Sequence, residues 1–179
     1  MASVDENVLT VARNIAKYRK MRKLSQIKLA IMLGISREHI AKIETGLRHP
    51  SLVLLFKIAE ALNISVFYEN LGTIHGYYNK PLRMKQIHIN CSLCEQEAMY
   101  TCAHELGHAI LHPNASTPFL RSNTMLSVEK MEIEADTFAV NLLISDDFIR
   151  ENSMYTTKQL ARFLGYNQAL IELRLKSFK

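Results

Sequence analysis

Residues 24–45 read Leu24-Ser-Gln-Ile-Lys-Leu-Ala-Ile-Met-Leu-Gly34-Ile-Ser-Arg-Glu-His-Ile-Ala-Lys-Ile-Glu-Thr45. Counted from Gln26 as the first of twenty positions, Ala30 falls fifth and Gly34 ninth. Leu29, Leu33, Ile35, Ile40 and Ile43 fall fourth, eighth, tenth, fifteenth and eighteenth. Two helices that cross steeply leave room for only a small side chain where they touch, and Ala30 is small. The sharp turn between them calls for a left-handed backbone residue, and Gly34 is the residue that adopts one at least cost. The five aliphatic residues fill the wedge beneath. The spacing therefore predicts a helix-turn-helix: a first helix Gln26–Leu33 capped by Ser25, and a second capped by Ser36 and ending near Thr45. Arg37, Glu38, His39 and Lys42 are left on the exposed side of the second helix.

Outward from this core, Val8, Val11, Ala12, Ile15 and Tyr18 fall at helical spacing, and Ser51 after Pro50 is placed to cap Leu52–Leu62. Charge is uneven. Residues 1–70 carry 11 Lys+Arg against 6 Asp+Glu, whereas residues 71–179 carry 11 of each. Seven basic residues and no acid lie between Arg13 and Lys28. An excess of this sign favours a polyanionic partner, because Lys and Arg that neutralise phosphates release counterions.

The strings Leu24-Ser-Gln-Ile-Lys-Leu-Ala and Ile43-Glu-Thr-Gly-Leu-Arg-His-Pro-Ser-Leu resemble the Cro/CI-type (Xre) helix-turn-helix family from Asn7 to about Tyr68. The resemblance implies a five-helix, lambda-repressor-like domain over residues 1–70 that binds double-stranded operator DNA as a dimer. In such domains the second helix of the motif enters the major groove and the first crosses the backbone. Carried over, Arg37, Glu38, His39 and Lys42 would face base edges, and Gln26, Thr45 and Arg48 would lie near phosphates. Glu38 is acidic, which fits either readout of a cytosine amino group or a protein contact.

A second motif lies at His104-Glu-Leu-Gly-His108. Ser92-x-x-Glu95 is expected to open a helix that runs to His112, where Pro113 ends it. Within it His104 and His108 are four apart, so both imidazoles point one way and can hold one ion. Glu105 projects about 100° round the helix, which suits a base that takes a proton from metal-activated water. Glu132-Ile-Glu-Ala-Asp136 begins 24 residues after His108, on a helix expected from about Val128 to Ile144. Projected at about 100° per residue, Met131, Ala135, Phe138, Ala139, Leu142 and Leu143 define its buried arc. Glu132 and Asp136 lie in or beside that arc, and Glu134 lies near −160°, on the polar side. A carboxylate facing a core must be paired or bind a cation. Glu132 is thus the expected third ligand, Asp136 the acceptor for a ligating histidine's free ring N–H, and Glu134 an ordinary solvent glutamate. His112 follows four residues after His108 rather than the metzincin's six, with Leu111 rather than Gly before it, so it reads as a helix-end side chain.

Ile87-His-Ile-Asn, Ala103-His-Glu-Leu-Gly-His-Ala-Ile-Leu-His-Pro113 and Glu132-Ile-Glu-Ala-Asp-Thr-Phe-Ala-Val-Asn-Leu-Leu-Ile144 resemble the ImmA/IrrE-type metallopeptidases of bacteria and their mobile elements. The resemblance implies a small zincin-like domain, one Zn²⁺ per chain (with Mn²⁺ as a substitute in vitro), and cleavage of a Cro/CI-type repressor or related regulatory protein. Many such proteins lack a DNA-binding domain, so this chain leaves open whether the target is another protein or itself. The rival reading is a non-catalytic helix-turn-helix regulator or antitoxin with a structural metal site, which has no need of Glu105.

The fold expected is mainly α, with some β: the DNA-binding domain at 1–70, a linker at 71–85 where two Gly and a Pro cluster, and the metallopeptidase domain at 86–179. Gln86–Asn90 alternates like a strand, Thr156-x-x-Gln159 caps a helix that Gly165 ends, and a last helix follows. No apolar run approaches the ~18 residues of a membrane span, and Met-Ala-Ser-Val-Asp-Glu begins no secretory signal, which places the chain in the cytoplasm without a membrane partner. Three cysteines, Cys91, Cys94 and Cys102, make no disulfide framework and read as structural thiols. Tyr100, Tyr155 and Tyr166 are candidates for stabilising an oxyanion.

Overall fold

The computed structural model of the chain describes residues 15–17, 19–45, 47, 48, 50–115, 117 and 125–178, with side chains from 128 onward in the last stretch. Val8, Val11, Ala12 and Tyr18 lie outside the described residues. These residues fall into two compact units, divided at Pro50/Ser51 and again at Ala139/Val140.

In the first unit, residues 15–17 and 19–21 are helical. Helix α1 (Gln26–Leu33) starts where the Ser25 hydroxyl accepts from the Lys28 N–H, and ends at Gly34 with φ +69°. Helix α2 (Arg37–Glu44) is capped in the same way by Ser36 on the His39 N–H. Ile15, Leu29, Ala30, Leu33, Ile40 and Ile43 are buried. Beside this core lies an ion pair. Arg19 donates through Nε and Nη2 to the two oxygens of Glu44, at 2.5 and 2.9 Å, and through Nη1 to the Leu24 carbonyl at 2.6 Å. All of these partners share one guanidinium, so the residues before α1 are tied to the end of α2.

The same unit holds the C-terminal helices α6 (Asp146–Glu151), α7 (Thr157–Leu164) and α8 (Gln168–Ser177). The Thr156–Gln159 capping box opens α7 and Gly165 closes it, as the sequence predicts. Arg174 of α8 is fully buried. It donates to Asp146 at 2.5 Å and to the Ile144 carbonyl at 2.9 Å. A charge taken so far from water persists only when paired in this way.

The second unit begins with helix α3 (Leu52–Ala61), capped by Ser51. A three-stranded sheet follows, in the order β1 (Ile64–Glu69), β3 (Lys85–Asn90), β2 (Gly76–Asn79). β1 runs parallel to β3 with Val66 opposite Ile87, and β2 runs antiparallel to it with Tyr78 opposite Ile87. The segment 71–85, expected as a linker, carries β2 and a 3-10 turn at Pro81–Arg83 that leads into β3. Its glycines and proline mark the turns at the strand ends, and composition holds no information about which edge a strand joins.

Helix α4 (Glu95–Leu111) packs on α3, β2 and β3 through Ala98, Cys102, Ala103, Leu106 and Ala109, all buried. It opens at Cys94, where the Glu97 carboxylate accepts the Cys94 N–H at 3.1 Å. The expected Ser92–Glu95 capping box does not form. Ser92 instead donates its N–H and hydroxyl to the side-chain oxygen of Asn90, whose amide group donates to the carbonyls of Gly72 and Ile74. Helix α5 (Met125–Leu143) starts three residues before the predicted Val128 and buries Ala135, Phe138 and Ala139. No helix among the described residues is long and apolar enough to cross a membrane.

Candidate metal centre

Helices α4 and α5 approach closely because of one glycine. A Cβ on Gly107 would meet the Ala135 Cα at 3.1 Å, the Ala135 carbonyl oxygen at 3.2 Å and the Phe138 Cβ at 3.2 Å. Gly107 lies inside the His-Glu-x-x-His segment, and Ala135 lies one residue before Asp136. The close approach therefore sits beside the polar groups that the two helices bring together.

Those groups are the three ligands read from the sequence. His104 Nε2 lies 3.1 Å from His108 Nε2. Glu132 places one carboxylate oxygen 3.2 Å from His104 Nε2 and the other 3.5 Å from His108 Nε2. Around a tetrahedral ion with bonds of about 2.0–2.1 Å, ligand atoms stand about 3.3–3.4 Å apart. The triangle of two imidazole nitrogens and a carboxylate thus has the size of one ion's coordination shell, and the His₂Glu donor set is of the kind that holds a divalent transition metal. Among the described residues, this is the only cluster of three His, Cys, Asp or Glu side chains with converging ligand atoms.

The electrostatics agree with that use. Burial alone would depress the His104 imidazole, but hydrogen bonds to Asp136 and Glu132 carry it up to about 10. Glu132 is held well below the usual carboxylate range by hydrogen bonds from His104 and His108. The two carboxylates thus set a negative potential around the paired imidazoles, the environment that suits a cation. His108 is fully buried, and its Nδ1 has no hydrogen-bond partner among the described residues.

Asp136 lies where the helical projection put it. Its Oδ1 is 2.7 Å from His104 Nδ1, so a proton on Nδ1 leaves the Nε2 lone pair facing Glu132 and His108. Glu105 is buried, and burial pushes its carboxyl up from the ordinary value, which favours accepting a proton. Thr117 donates its hydroxyl to Glu105 at 3.2 Å and accepts the Tyr78 N–H of β2 at 2.8 Å. No spacing rule marks Thr117, because its position depends on how residues after Pro113 return to the sheet.

Two sequence readings change at the site. Glu134 is not a free solvent glutamate: it lies 3.3 Å from His112 Nε2 and 3.8 Å from Lys130 Nζ. It is as exposed as Glu132, at 42% against 43%, and His112 at the end of α4 lies beside it. Tyr100, an oxyanion candidate, spends its hydroxyl on Asp136 at 2.6 Å. Tyr155 and Tyr166 belong to the other compact unit. Cys91 and Cys94 are exposed, and Cys102 is buried with its thiol pushed up by desolvation and then by Glu105. His88 stacks between Phe67 and Tyr77, at centroid distances of 4.9 and 4.4 Å, with Nδ1 on Glu69.

On the helix-turn-helix, Arg37, Glu38, Lys42, Thr45 and Arg48 are exposed and His39 is half-buried. Lys42 pairs with Glu38 at 2.8 Å across one turn of α2. Burial, then the nearby Arg48 and Lys42, hold His39 below its usual value, so it favours the neutral form. Thr45 donates its hydroxyl to the Ala41 carbonyl at 2.8 Å. Gln26 does not extend outward: its amide donates to Glu44 at 2.9 Å.

The fold and the site define a helix-turn-helix protein whose second domain carries a candidate His₂Glu metal site. Residues 59–176 match the family described as the IrrE N-terminal-like domain, Peptidase_M78, and residues 15–68 match the helix-turn-helix family. The chain belongs to the IrrE N-terminal-like family of metallopeptidases and carries a Cro/CI-type helix-turn-helix domain in addition. It is 41% identical over 130 residues to uncharacterized immunity region protein 2 of Bacillus phage phi105, covering 69% of this chain and 82% of that one. It is 24% identical over 140 residues to the metallopeptidase ImmA of Bacillus subtilis (strain 168), covering 75% and 82%. It is 43% identical over 58 residues to the immunity repressor protein of phage phi105, covering 32% of this chain and 40% of that one.

Proposed function

We propose that the chain is a cytoplasmic DNA-binding regulator whose second domain is a zinc-dependent endopeptidase acting on a Cro/CI-type repressor or a related regulatory protein. The observation that carries the peptidase reading is the ligand triangle His104–His108–Glu132 with the buried carboxylate of Glu105 adjacent in sequence to His104. A divalent ion held by His104, His108 and Glu132 would supply Lewis acidity, acidifying water and polarising a peptide carbonyl. Glu105 takes the proton of the attacking water and passes it to the leaving amine, a role that its raised pKa suits. Asp136 holds His104 in the tautomer that presents Nε2. A purely structural site would need no base, which weighs against the non-catalytic alternative.

The division of labour we propose places operator binding in residues 1–70 and hydrolysis in residues 86–179. The exposed Arg37, Glu38 and Lys42, with the half-buried His39, would read base edges, and Thr45 and Arg48 would meet phosphates. Gln26 would reach a phosphate only by giving up Glu44. The 58-residue likeness to a phage immunity repressor and the helix-turn-helix match at residues 15–68 support the DNA reading, and a dimer would match a two-fold operator. The test is incubation with a Cro/CI-type repressor of the same host or element, with and without added Zn²⁺, followed by intact-mass analysis. Zinc-dependent fragments support the reading; an unchanged repressor, with the metal bound, opposes it.

A further inference from the structure

Tyr100 lies four residues before His104, so on α4 the two side chains stand one above the other on the same face. Both reach across to a single atom. The Tyr100 hydroxyl is 2.6 Å from Asp136 Oδ1, and His104 Nδ1 is 2.7 Å from the same oxygen. A carboxylate has no proton to give, so Tyr100 is the donor. Its proton is directed at Asp136 and away from any oxyanion formed at the opposite edge of the imidazole. The Tyr100 and His104 rings are 6.0 Å apart and tilted by 37°, so the hydroxyl reaches past the histidine without stacking on it.

We propose that Tyr100 is a positioning residue for the metal centre: it fixes the Asp136 carboxylate, and through it the orientation and tautomer of His104. The Asp136 side chain is 29% exposed, so water competes for its oxygens and its rotamer is not locked by packing alone. One donor on a partly wet carboxylate leaves it free to swing; two donors one helical turn apart hold it from α4. The hydroxyl's hydrogen bond goes to Asp136, so the route from it to the ion runs through that carboxylate and His104. This inference rests on the metal site proposed above.

The test is a double-mutant cycle on zinc affinity, measured on the full chain by competition with a chromophoric chelator. Groups that support a metal ligand are worth roughly 10–100-fold in affinity, and Tyr100 stands one step further out, so Tyr100→Phe is expected to weaken zinc binding by about 3–10-fold. In the Asp136→Ala background the same change is expected to alter affinity by less than about twofold, because the route to His104 is already cut. Phe keeps the ring, so the unfolding midpoints of the metal-free wild type and Tyr100→Phe proteins are expected to coincide. Wild-type affinity in Tyr100→Phe, or an equal loss in both backgrounds, would overturn the proposal. His104→Ala separates the two levels: if it binds zinc as tightly as wild type, the metal site itself is wrong and the role of Tyr100 falls with it.

Discussion

Glu132 and Glu134 are two residues apart on one helix, equally exposed, and face different partners. Glu132 faces His104 and His108; Glu134 faces His112 and Lys130. On the proposed site, removing Glu132 would take away a metal donor, whereas removing Glu134 would take away only a half-exposed approach to Lys130, of the kind worth about 0–1 kcal/mol. Glu132→Ala is therefore expected to lower zinc affinity by about tenfold or more. Glu134→Ala should leave it nearly unchanged. Isothermal titration of the two variants decides this, and equal losses would remove Glu132 from the ligand set. The projection set the phase of each on α5 but not its burial: the two side chains are 43% and 42% exposed. The approach of Glu134 to His112 Nε2 was not legible, because it needs the crossing geometry of two helices as well as the phase of each.

At the scale of the element, the decisive approach is between α4 and α5 at Gly107. Alanine there gains about 1 kcal/mol of helix propensity and meets backbone and Cβ atoms at 3.1–3.2 Å. Overpacking of this kind costs about 1–3 kcal/mol, so the net change in stability is small or unfavourable. The larger effect falls on the metal, because Ala135 moves with its neighbours Glu132 and Asp136. Gly107→Ala is expected to reduce zinc affinity by more than its change in unfolding midpoint suggests; titration and thermal unfolding on the same samples test this. Tight zinc binding in a clearly destabilised variant would contradict it.

Elements bounded by local signals were legible: α1, α2, α3 and α7 begin at Ser25, Ser36, Ser51 and Thr156, as read from the sequence. β1 and β2 were not. Ile64–Glu69 follows a helix directly, and its partner β3 lies beyond β2 in the chain, so its pairing is non-local. The start of α4 was misplaced by two residues because Asn90 captures the Ser92 hydroxyl that a capping box would use.

For the whole molecule, net basic charge is confined to residues 1–70 while the candidate metal site lies within residues 100–136. Truncation at residue 70 would leave β1 without its partner β3, so DNA binding is best measured on the full chain. Retention of duplex operator DNA is expected to fall steeply with salt, as binding to phosphates demands. Arg48→Ala should weaken binding to all sequences about equally. Arg37→Ala or His39→Ala should relax sequence preference, by roughly 1–3 kcal/mol for each base edge no longer read. A gel-shift titration in salt reads all three, and absence of any retained fragment at low salt would remove the operator reading while leaving the metal centre intact.

The central claim is that Glu105 is the base beside a metal held by His104, His108 and Glu132. It is tested most directly by comparing wild type with Glu105→Gln, each loaded with zinc and incubated with a Cro/CI-type repressor, by intact mass. Glutamine keeps the shape of the buried side chain and removes its basicity. The account predicts that wild type yields fragments whose masses sum to the repressor plus one water, and that Glu105→Gln, carrying the same amount of zinc, yields none. Cleavage by Glu105→Gln at the wild-type rate would contradict it.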